Sequence, residues 1–127
     1  MENNMTAQGF NDLGGTTSNN LIAGEFPRVV RLATVSGGNL KRGAILGKIT
    51  SNGKCVLCAS AATDGSKDVY AVLAEDVDAS SEDKQAAVYL TGEFNRTAMT
   101  VGDGYTAEGL IDSLRAKSIF VRENQAY

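Results

Sequence analysis

The stretch LKRGAILGKITSNGKCVLCA, residues 40–59, decides the fold because two short strand-like runs in it surround a turn signal. The runs AILGKIT and CVLCA flank Asn52-Gly53, a dipeptide that readily adopts the left-handed torsions of a two-residue type I′ hairpin turn. Gly43 and Gly47 then mark bends or a bulge in a strongly twisted ribbon. The stretch predicts a β-hairpin.

The same glycines invite comparison with a phosphate-binding loop. Such a loop needs four residues between its glycines, followed by Lys and then Ser or Thr. Gly43 and Gly47 are separated by only three residues, and Ile49 stands where the hydroxyl residue belongs. No helical period follows, which also argues against a Rossmann glycine pattern. The glycines are therefore interpreted as shaping the chain.

Two cysteines in this stretch have the CxxC spacing of redox and zinc sites. Side chains alternate across a strand, so Cys55 and Cys58 should point to opposite faces. With a two-residue turn, Cys55 lies opposite Thr50 and Cys58 opposite Gly47. A zinc site needs about four ligands, and the chain has two Cys and no His. We expect two small, buried core thiols, no metal site and no cofactor.

Composition narrows the class of protein. The 127 residues suit one domain, aromatic residues are only 6%, and Gly is frequent, which favours a β-rich fold with a small aliphatic core. The net charge of −3 does not indicate nucleic-acid binding or attraction to an anionic membrane surface. No apolar run is long enough to span a bilayer, and the N-terminus does not resemble a signal peptide. We expect a protein made in a cytoplasm, with no membrane or direct nucleic-acid partner.

The rest of the chain predicts further strands and one helix. Strand composition is present in RVVRLATV (28–35), VYAVLAE (69–75), QAAVYLTGEF (85–94) and SIFVRE (118–123), with turns at SGGN, TDGS and GDGY. In TAEGLIDSLRAK (106–117), Thr106 is a suitable N-cap, and Leu110, Ile111 and Leu114 fall on one side. The fold class is mainly β with one short helix.

Residues 1–25 differ from residues 26–127. The segment is rich in Asn, Gly and Thr, and its apolar residues follow no regular period, so it cannot bury much by itself. It is either a frayed terminus or a flexible arm that becomes ordered against a partner. The candidate partner-binding residues of this arm are Met5, Phe10, Leu13, Leu21 and Ile22.

The sequence gives little support for a catalytic function. The absence of His removes the commonest general base. Carboxylates cluster at Glu75, Asp76, Asp78, Glu82 and Asp83, but the ordered spacing and central Gly of an EF-hand are missing. The cluster is interpreted as a solvated loop, and no enzyme is expected.

Several blocks, in this order, resemble the bacteriophage head decoration (capsid-stabilising) proteins of the D type. They are FPRVVRLATVSGGNLKRGAILGKIT, with its LKRGxxLG signature, and YAVLAEDVDASSEDKQAAVYLTGEFNRTAMT, with LAEDV before a variable loop and VYLTGEFN after it. The resemblance covers about residues 26–101.

The resemblance implies a β-clip-like fold, in which a bent ribbon closes into a partial barrel. It implies a homotrimer on the outer surface of the expanded phage head in the virion, at three-fold and quasi-three-fold sites, with the major capsid protein as partner. The flexible arm corresponds to residues 1–25, and residues 26–127 form the decoration-protein β domain. Tyr89, Phe94 and Arg96 are candidates for the trimer interface, with burial inside the subunit as the alternative for Tyr89 and Phe94.

Two other functions stay open at this point. One is a small β-barrel binding module of a phage tail or fibre, which would be favoured by a monomer with a deep pocket. The other is a hydrolase that uses a carboxylate pair around Glu75–Asp78.

Overall fold

The structure is a computed structural model that describes residues 21–102, 104–106 and 108–123. Its strands are β1 (Val30–Val35), β2 (Asn39–Leu40), β3 (Ile45–Lys48), β4 (Cys55–Leu57), β5 (Val69–Leu73), β6 (Val77–Asp78), β7 (Lys84–Tyr89), β8 (Gly92–Asn95) and β9 (Ile119–Arg122). The α-helix α1 spans Ile111–Arg115, and single 3₁₀ turns occupy Arg96–Ala98 and Glu108–Leu110. The prediction of a mainly β chain with one short helix is confirmed.

Five strands close into a barrel in the order β1-β4-β3-β5-β7, with β7 returning to β1. Neighbours are antiparallel except β1 and β4, which meet in parallel at the single pair Val35 and Cys55. Outside the barrel, β8 and β9 pair in parallel, and β2 and β6 form a small antiparallel ribbon.

Side-chain alternation along the barrel strands creates two cores. The barrel core collects buried side chains from all five barrel strands: Val35, Ala44, Leu46, Cys55, Ala71, Leu73, Ala79, Ala86 and Val88. The flank core lies between the opposite face of β3 and β5 and the elements α1, β8 and β9: Leu21, Ile45, Cys58, Val69, Val72, Phe94, Leu110, Leu114 and Ile119. One sheet therefore supports two apolar layers.

The central hairpin exists, but the predicted type I′ turn is wrong. Ile49 N–H donates to Lys54 O at 2.8 Å, so the loop contains four residues, and Cys55 lies opposite Lys48 instead of Thr50. The Asn52 side chain accepts a hydrogen bond from Lys54 N–H at 2.9 Å, and only Gly53 has a positive φ, of 73°. A type I′ turn needs positive φ at both central residues, which this side-chain turn does not supply.

The two glycines of LKRGAILG shape the chain, as the sequence predicts. The pairing of β3 with β5 shifts register between Leu46 and Gly47, which is the expected bulge. A Cβ on Gly47 would lie 2.0 Å from Ser66 O, and one on Gly43, whose φ is 100°, would lie 2.1 Å from Ala98 O. Both positions bring two backbones too close for any side chain.

The C-terminal half follows the prediction with three differences. The run QAAVYLTGEF forms two strands, β7 and β8, and the chain bends between them. The helix is shorter than residues 106–117, although the Thr106 hydroxyl accepts Gly109 N–H at 2.9 Å, as expected of an N-cap. Leu110 and Leu114 are buried, whereas the side chain of Ile111 is 37% exposed. Helical turns of 3₁₀ type at the start rotate Ile111 away from the predicted face.

Candidate functional site

The first described residues are packed into the body of the protein. Leu21 is fully buried in the flank core, and Ile22 forms an antiparallel bridge to Phe94 of β8. Asn95 N–H donates to Leu21 O at 2.8 Å, and Ala23 N–H donates to Glu93 O at 2.9 Å. The segment 21–23 therefore adds a strand to β8 on the side opposite β9. We call this segment the root.

The Glu93 carboxylate fastens the chain directly after the root. One oxygen accepts Phe26 N–H at 3.0 Å, and the other pairs with the Arg122 guanidinium at 2.6 Å. The Phe26 ring packs edge-on against Phe120, with centroids 4.9 Å apart. These contacts join the start of the domain to its last strand.

A second fastening point holds the chain at the beginning of β1. The Thr91 hydroxyl donates to Pro27 O at 2.7 Å and accepts Val29 N–H at 3.1 Å. Leu90 N–H donates to Val29 O at 2.7 Å. The path from the root to the barrel is thus defined by hydrogen bonds at Glu93 and Thr91, both in the VYLTGEFN block.

Arg42 brings three of the sequence blocks together in the structure. Its backbone N–H donates to the Asp76 carboxylate at 2.8 Å, and its guanidinium donates to Ala74 O at 2.9 Å and to the Tyr89 hydroxyl at 3.3 Å. Gly43 N–H donates to Leu73 O at 2.8 Å. The blocks LKRG, LAED and VYL therefore meet at one place.

The acidic cluster has structural uses in this fold. Glu75 accepts Ala87 N–H at 2.7 Å, Asp78 accepts Ser80 N–H at 3.1 Å, and Asp83 pairs with Lys54 at 2.6 Å. The hydrogen bonds from Ser80 lower the pKa of Asp78. Over the described ranges, no group of three or more Cys, Asp or Glu side chains is placed to hold a metal ion.

Both thiols are free and buried, as the alternation argument predicts. Cys55 belongs to the barrel core and Cys58 to the flank core, so they lie on opposite faces of the strand. Burial raises the pKa of both thiols, that of Cys58 to about 11. A raised pKa disfavours the thiolate, which is the reactive form of a redox cysteine, at both positions.

The predicted trimer-interface residues lie in three different settings. Phe94 is fully buried, and Tyr89 is half-buried, with its ring 5.4 Å from that of Phe94. Arg96 forms a two-pronged ion pair with Glu123, at 2.9 and 3.0 Å, which lowers the pKa of Glu123. Only Tyr89 and Arg96 therefore present part of their side chains to solvent.

Of the predicted arm residues, Leu21 and Ile22 lie within the part of the chain that the structure describes. Leu21 is in the flank core, and the half-buried Ile22 packs against it. Met5, Phe10 and Leu13 lie outside the described residues.

Sequence reasoning missed the main exposed apolar surface, which lies on β1. Leu32 is 67% exposed and Val30 is 57% exposed, and the preceding Val29 is also exposed. Alternation places Val30, Leu32 and Thr34 on one face of β1, and this could have indicated an outward face. We call Val30 and Leu32, with the neighbouring strand edge, the β1 face.

A shallow apolar groove lies beside the root. It has a volume of about 440 Å³, and Phe26, Ile111, Ile119 and Phe120 form its apolar lining. Arg115 and Arg122 lie at its rim.

No helix in the described residues is long and apolar enough to cross a membrane.

Comparison with known protein families identifies a match over most of the chain. The family model described as "Bacteriophage lambda head decoration protein D" matches residues 19–117. No curated protein matches the chain significantly. The matched range begins just before the root and ends just after α1, so it contains the barrel, Glu93 and Thr91 but not β9.

Proposed function

This chain belongs to the family of the bacteriophage lambda head decoration protein D, and we propose that it decorates the expanded phage head as a homotrimer. The family is one of structural phage capsid proteins, and its role is capsid decoration in the virion. The trimer binds the major capsid protein at three-fold and quasi-three-fold sites and stabilises the shell against the pressure of packaged DNA.

The observation that carries this proposal is the family match over residues 19–117. It favours head decoration over a tail or fibre module, since the match is to a head protein and spans the whole barrel. It also favours a structural role over a hydrolase at Glu75–Asp78, where Glu75 and Asp78 accept backbone N–H groups. The role needs no cofactor, membrane or direct nucleic-acid contact.

Capsid binding is assigned to the N-terminal arm. Leu21 and Ile22 act as its anchored base, and the apolar residues Met5, Phe10 and Leu13 act as contacts with the capsid. An extended segment with few side-chain anchors can still bind by adding its backbone hydrogen bonds to an exposed strand edge. The root pairs with β8 in this way inside the chain itself, which makes strand addition by the preceding residues a direct continuation.

Trimerisation compensates for the weakness of a single arm. Ordering the arm costs about 1–2 kcal/mol for each fixed residue. Three arms on one rigid body present each other to neighbouring sites at high effective concentration, so the trimer binds far more tightly than one arm. Neighbouring capsid subunits that share one trimer separate only when several contacts break together, which is how the trimer resists outward pressure.

Co-sedimentation with purified heads tests the proposal. The full chain should bind expanded heads and should not bind unexpanded ones. Equal binding to both, or to neither, would contradict the decoration role. Head particles imaged with the chain bound should show its density capping the local three-folds.

The arm is tested separately by deleting residues 1–20, which leaves the root in place. The truncated chain should keep its fold and trimer and lose head binding. A matched full-length variant with Met5, Phe10 and Leu13 changed to Ser should also lose binding, since it keeps the length of the arm but not its apolar contacts. Retained binding by the truncated chain would rule out the arm mechanism.

A further inference from the structure

Asn52 and Gly53 shape the turn of the central hairpin, and the same pair has a chemistry that the proposed function does not use. An asparagine followed by glycine loses its side-chain amide readily, because glycine has no side chain to hinder ring closure. This is the only Asn-Gly pair in the chain. The Asn52 side chain is exposed, and a Cβ on Gly53 would approach only Lys48 Cε, at 3.7 Å, among the described residues. The pair is therefore open to solvent.

The reacting carbonyl group of Asn52 is polarised by the turn. Lys54 N–H donates a hydrogen bond to Asn52 Oδ1 at 2.9 Å. Negative charge develops on this oxygen when the side-chain amide is attacked, and a backbone N–H that already points at the oxygen stabilises that charge. The turn therefore makes Asn52 Cγ a better electrophile.

The attacking atom, in contrast, is restrained. The nucleophile in this reaction is the backbone nitrogen of Gly53, after the loss of its proton. Gly53 N–H donates to Ile49 O at 2.8 Å, and Ile49 N–H donates to Lys54 O at 2.8 Å, so the turn is closed on both sides of Ile49. The Gly53 nitrogen cannot release its proton while that proton is bonded to Ile49 O. Ring closure therefore requires a local opening of this hydrogen bond.

We propose that Asn52 deamidates spontaneously in the folded chain, that opening of the hydrogen bond from Gly53 to Ile49 controls the rate, and that the isoaspartate product cannot re-form this bond. The Gly53 nitrogen bonds to Asn52 Cγ, the C–N bond of the side-chain amide breaks, and ammonia leaves with the proton that Gly53 gave up. Water then hydrolyses the succinimide ring at one of its two carbonyl groups. The product is aspartate or isoaspartate, and either one carries a negative charge that Asn52 lacks.

The two products differ in their effect on the hairpin. Aspartate keeps an acceptor oxygen for Lys54 N–H and the normal length of the backbone. Isoaspartate continues the chain through its side-chain carbonyl group, which adds one carbon to the backbone between residues 52 and 53. This added carbon displaces Gly53 N–H from its position opposite Ile49 O.

Peptide mapping by mass spectrometry tests the site, with the full chain sampled during incubation at mildly alkaline pH. The peptide that contains Asn52 should show the mass change of an amide converted to an acid and should separate into aspartate and isoaspartate forms. Asn39 is the internal control, since its side chain is also exposed but is followed by the bulkier Leu40. Conversion of Asn39 as fast as Asn52, or an unchanged Asn52 in the folded chain, would overturn the proposed site.

The control by the hydrogen bond is tested by opening the turn. The chain unfolded in guanidinium chloride should convert Asn52 at least about tenfold faster than the folded chain, because the hydrogen bond no longer holds the nucleophile. In low denaturant that leaves the chain folded, Asn52 conversion and hydrogen exchange of the Gly53 amide should rise by the same factor. Conversion that stays constant while exchange rises would show that this hydrogen bond does not control the reaction.

The effect on the turn is tested with a matched variant. Full-length protein enriched in isoaspartate at position 52 should exchange the Gly53 amide at least about tenfold faster than Asn52→Asp, which has the same charge and the normal backbone. Equal exchange in the two proteins would refute the loss of the hydrogen bond. These measurements are independent of head binding, so their failure and the failure of the proposed function can be told apart.

Discussion

At the scale of single residues, glycine allows segments of backbone to pack directly against each other in this fold. Gly47 sits at the bulge in β3, directly against the Ser66 carbonyl, and its backbone φ is not in the left-handed region. The need for glycine there is therefore one of space alone. The sequence pattern predicted the bulge, but it could not show which segment faces Gly47, because Ser66 lies in a loop 19 residues further along the chain.

Gly47→Ala should lower the free energy of unfolding by about 1–3 kcal/mol or more, because its Cβ would lie 2.0 Å from Ser66 O. Gly38→Ala is the matched control, since the nearest atom to its Cβ would be Leu40 Cδ2 at 3.7 Å. Chemical denaturation at one fixed protein concentration measures both. Equal stability of the two variants would contradict the close backbone approach.

The Cys58 thiol makes stability depend on pH in the alkaline range. Burial raises its pKa from 9.0 to about 11, and the Asp68 carboxylate acts in the same direction. Below the unfolded pKa both states keep the proton. Between these two values the unfolded chain loses it first, so the free energy of unfolding should fall as the pH rises through this range. Denaturation of wild type and Cys58→Ala between pH 8 and 11 should show a shallower loss in the variant.

At the scale of elements, the root shows what sequence periodicity can and cannot locate. The apolar residues of positions 1–25 have no common period, which placed the boundary of the arm at residue 25 in the sequence interpretation. Leu21 nevertheless fills a position in the flank core, because it meets β8, a strand some 70 residues further on. A pairing between segments so far apart leaves no local signal.

Leu21→Ala should cost about 2–5 kcal/mol of stability, as expected for a buried leucine truncated in a packed core. Leu32→Ala, the same truncation at a position that is 67% exposed, should cost less than about 1 kcal/mol. Thermal or urea unfolding compares them. A Leu21 variant as stable as wild type would show that the root is not part of the folded body.

The effect of the fastening point at Glu93 should be visible in amide exchange. Glu93→Gln removes the ion pair with Arg122 and weakens the acceptor for Phe26 N–H, so the Phe26 amide should exchange at least about tenfold faster. Glu25→Gln, an exposed neighbouring carboxylate, serves as the control and should leave that rate unchanged. An unchanged exchange rate of the Phe26 amide in Glu93→Gln would argue against this fastening point.

At the scale of the whole molecule, local signals were sufficient to locate the longer strands, but not the short strands β2 and β6 or the arrangement of the strands. The strand runs, the N-cap at Thr106 and the opposed thiols followed from residue type and alternation. The parallel pairing of β8 with β9 and the exposure of Leu32 did not, since both depend on which segments meet after the chain has closed. The contacts of Arg42 could not be predicted for the same reason, because they link it to Ala74 and Tyr89, which lie in two other sequence blocks.

The proposed avidity predicts a large gap between one arm and the assembled protein. A synthetic peptide of residues 1–20 should displace the bound chain from expanded heads only at a concentration at least about 100-fold above that of the unlabelled full chain. A shuffled peptide of the same composition controls for non-specific competition. A peptide as effective as the full chain would show that assembly adds nothing to binding.

The antiparallel placement of the root on β8 has a mechanical consequence. Force applied at residue 21 along the strand direction loads the hydrogen bonds at Asn95 and Glu93 simultaneously, in shear, and also pulls Leu21 against the surrounding core. Bonds loaded together yield at a much higher force than bonds peeled one after another. In the decoration role that we propose, this arrangement would keep residue 21 anchored while the capsid surface bound by the arm is stretched.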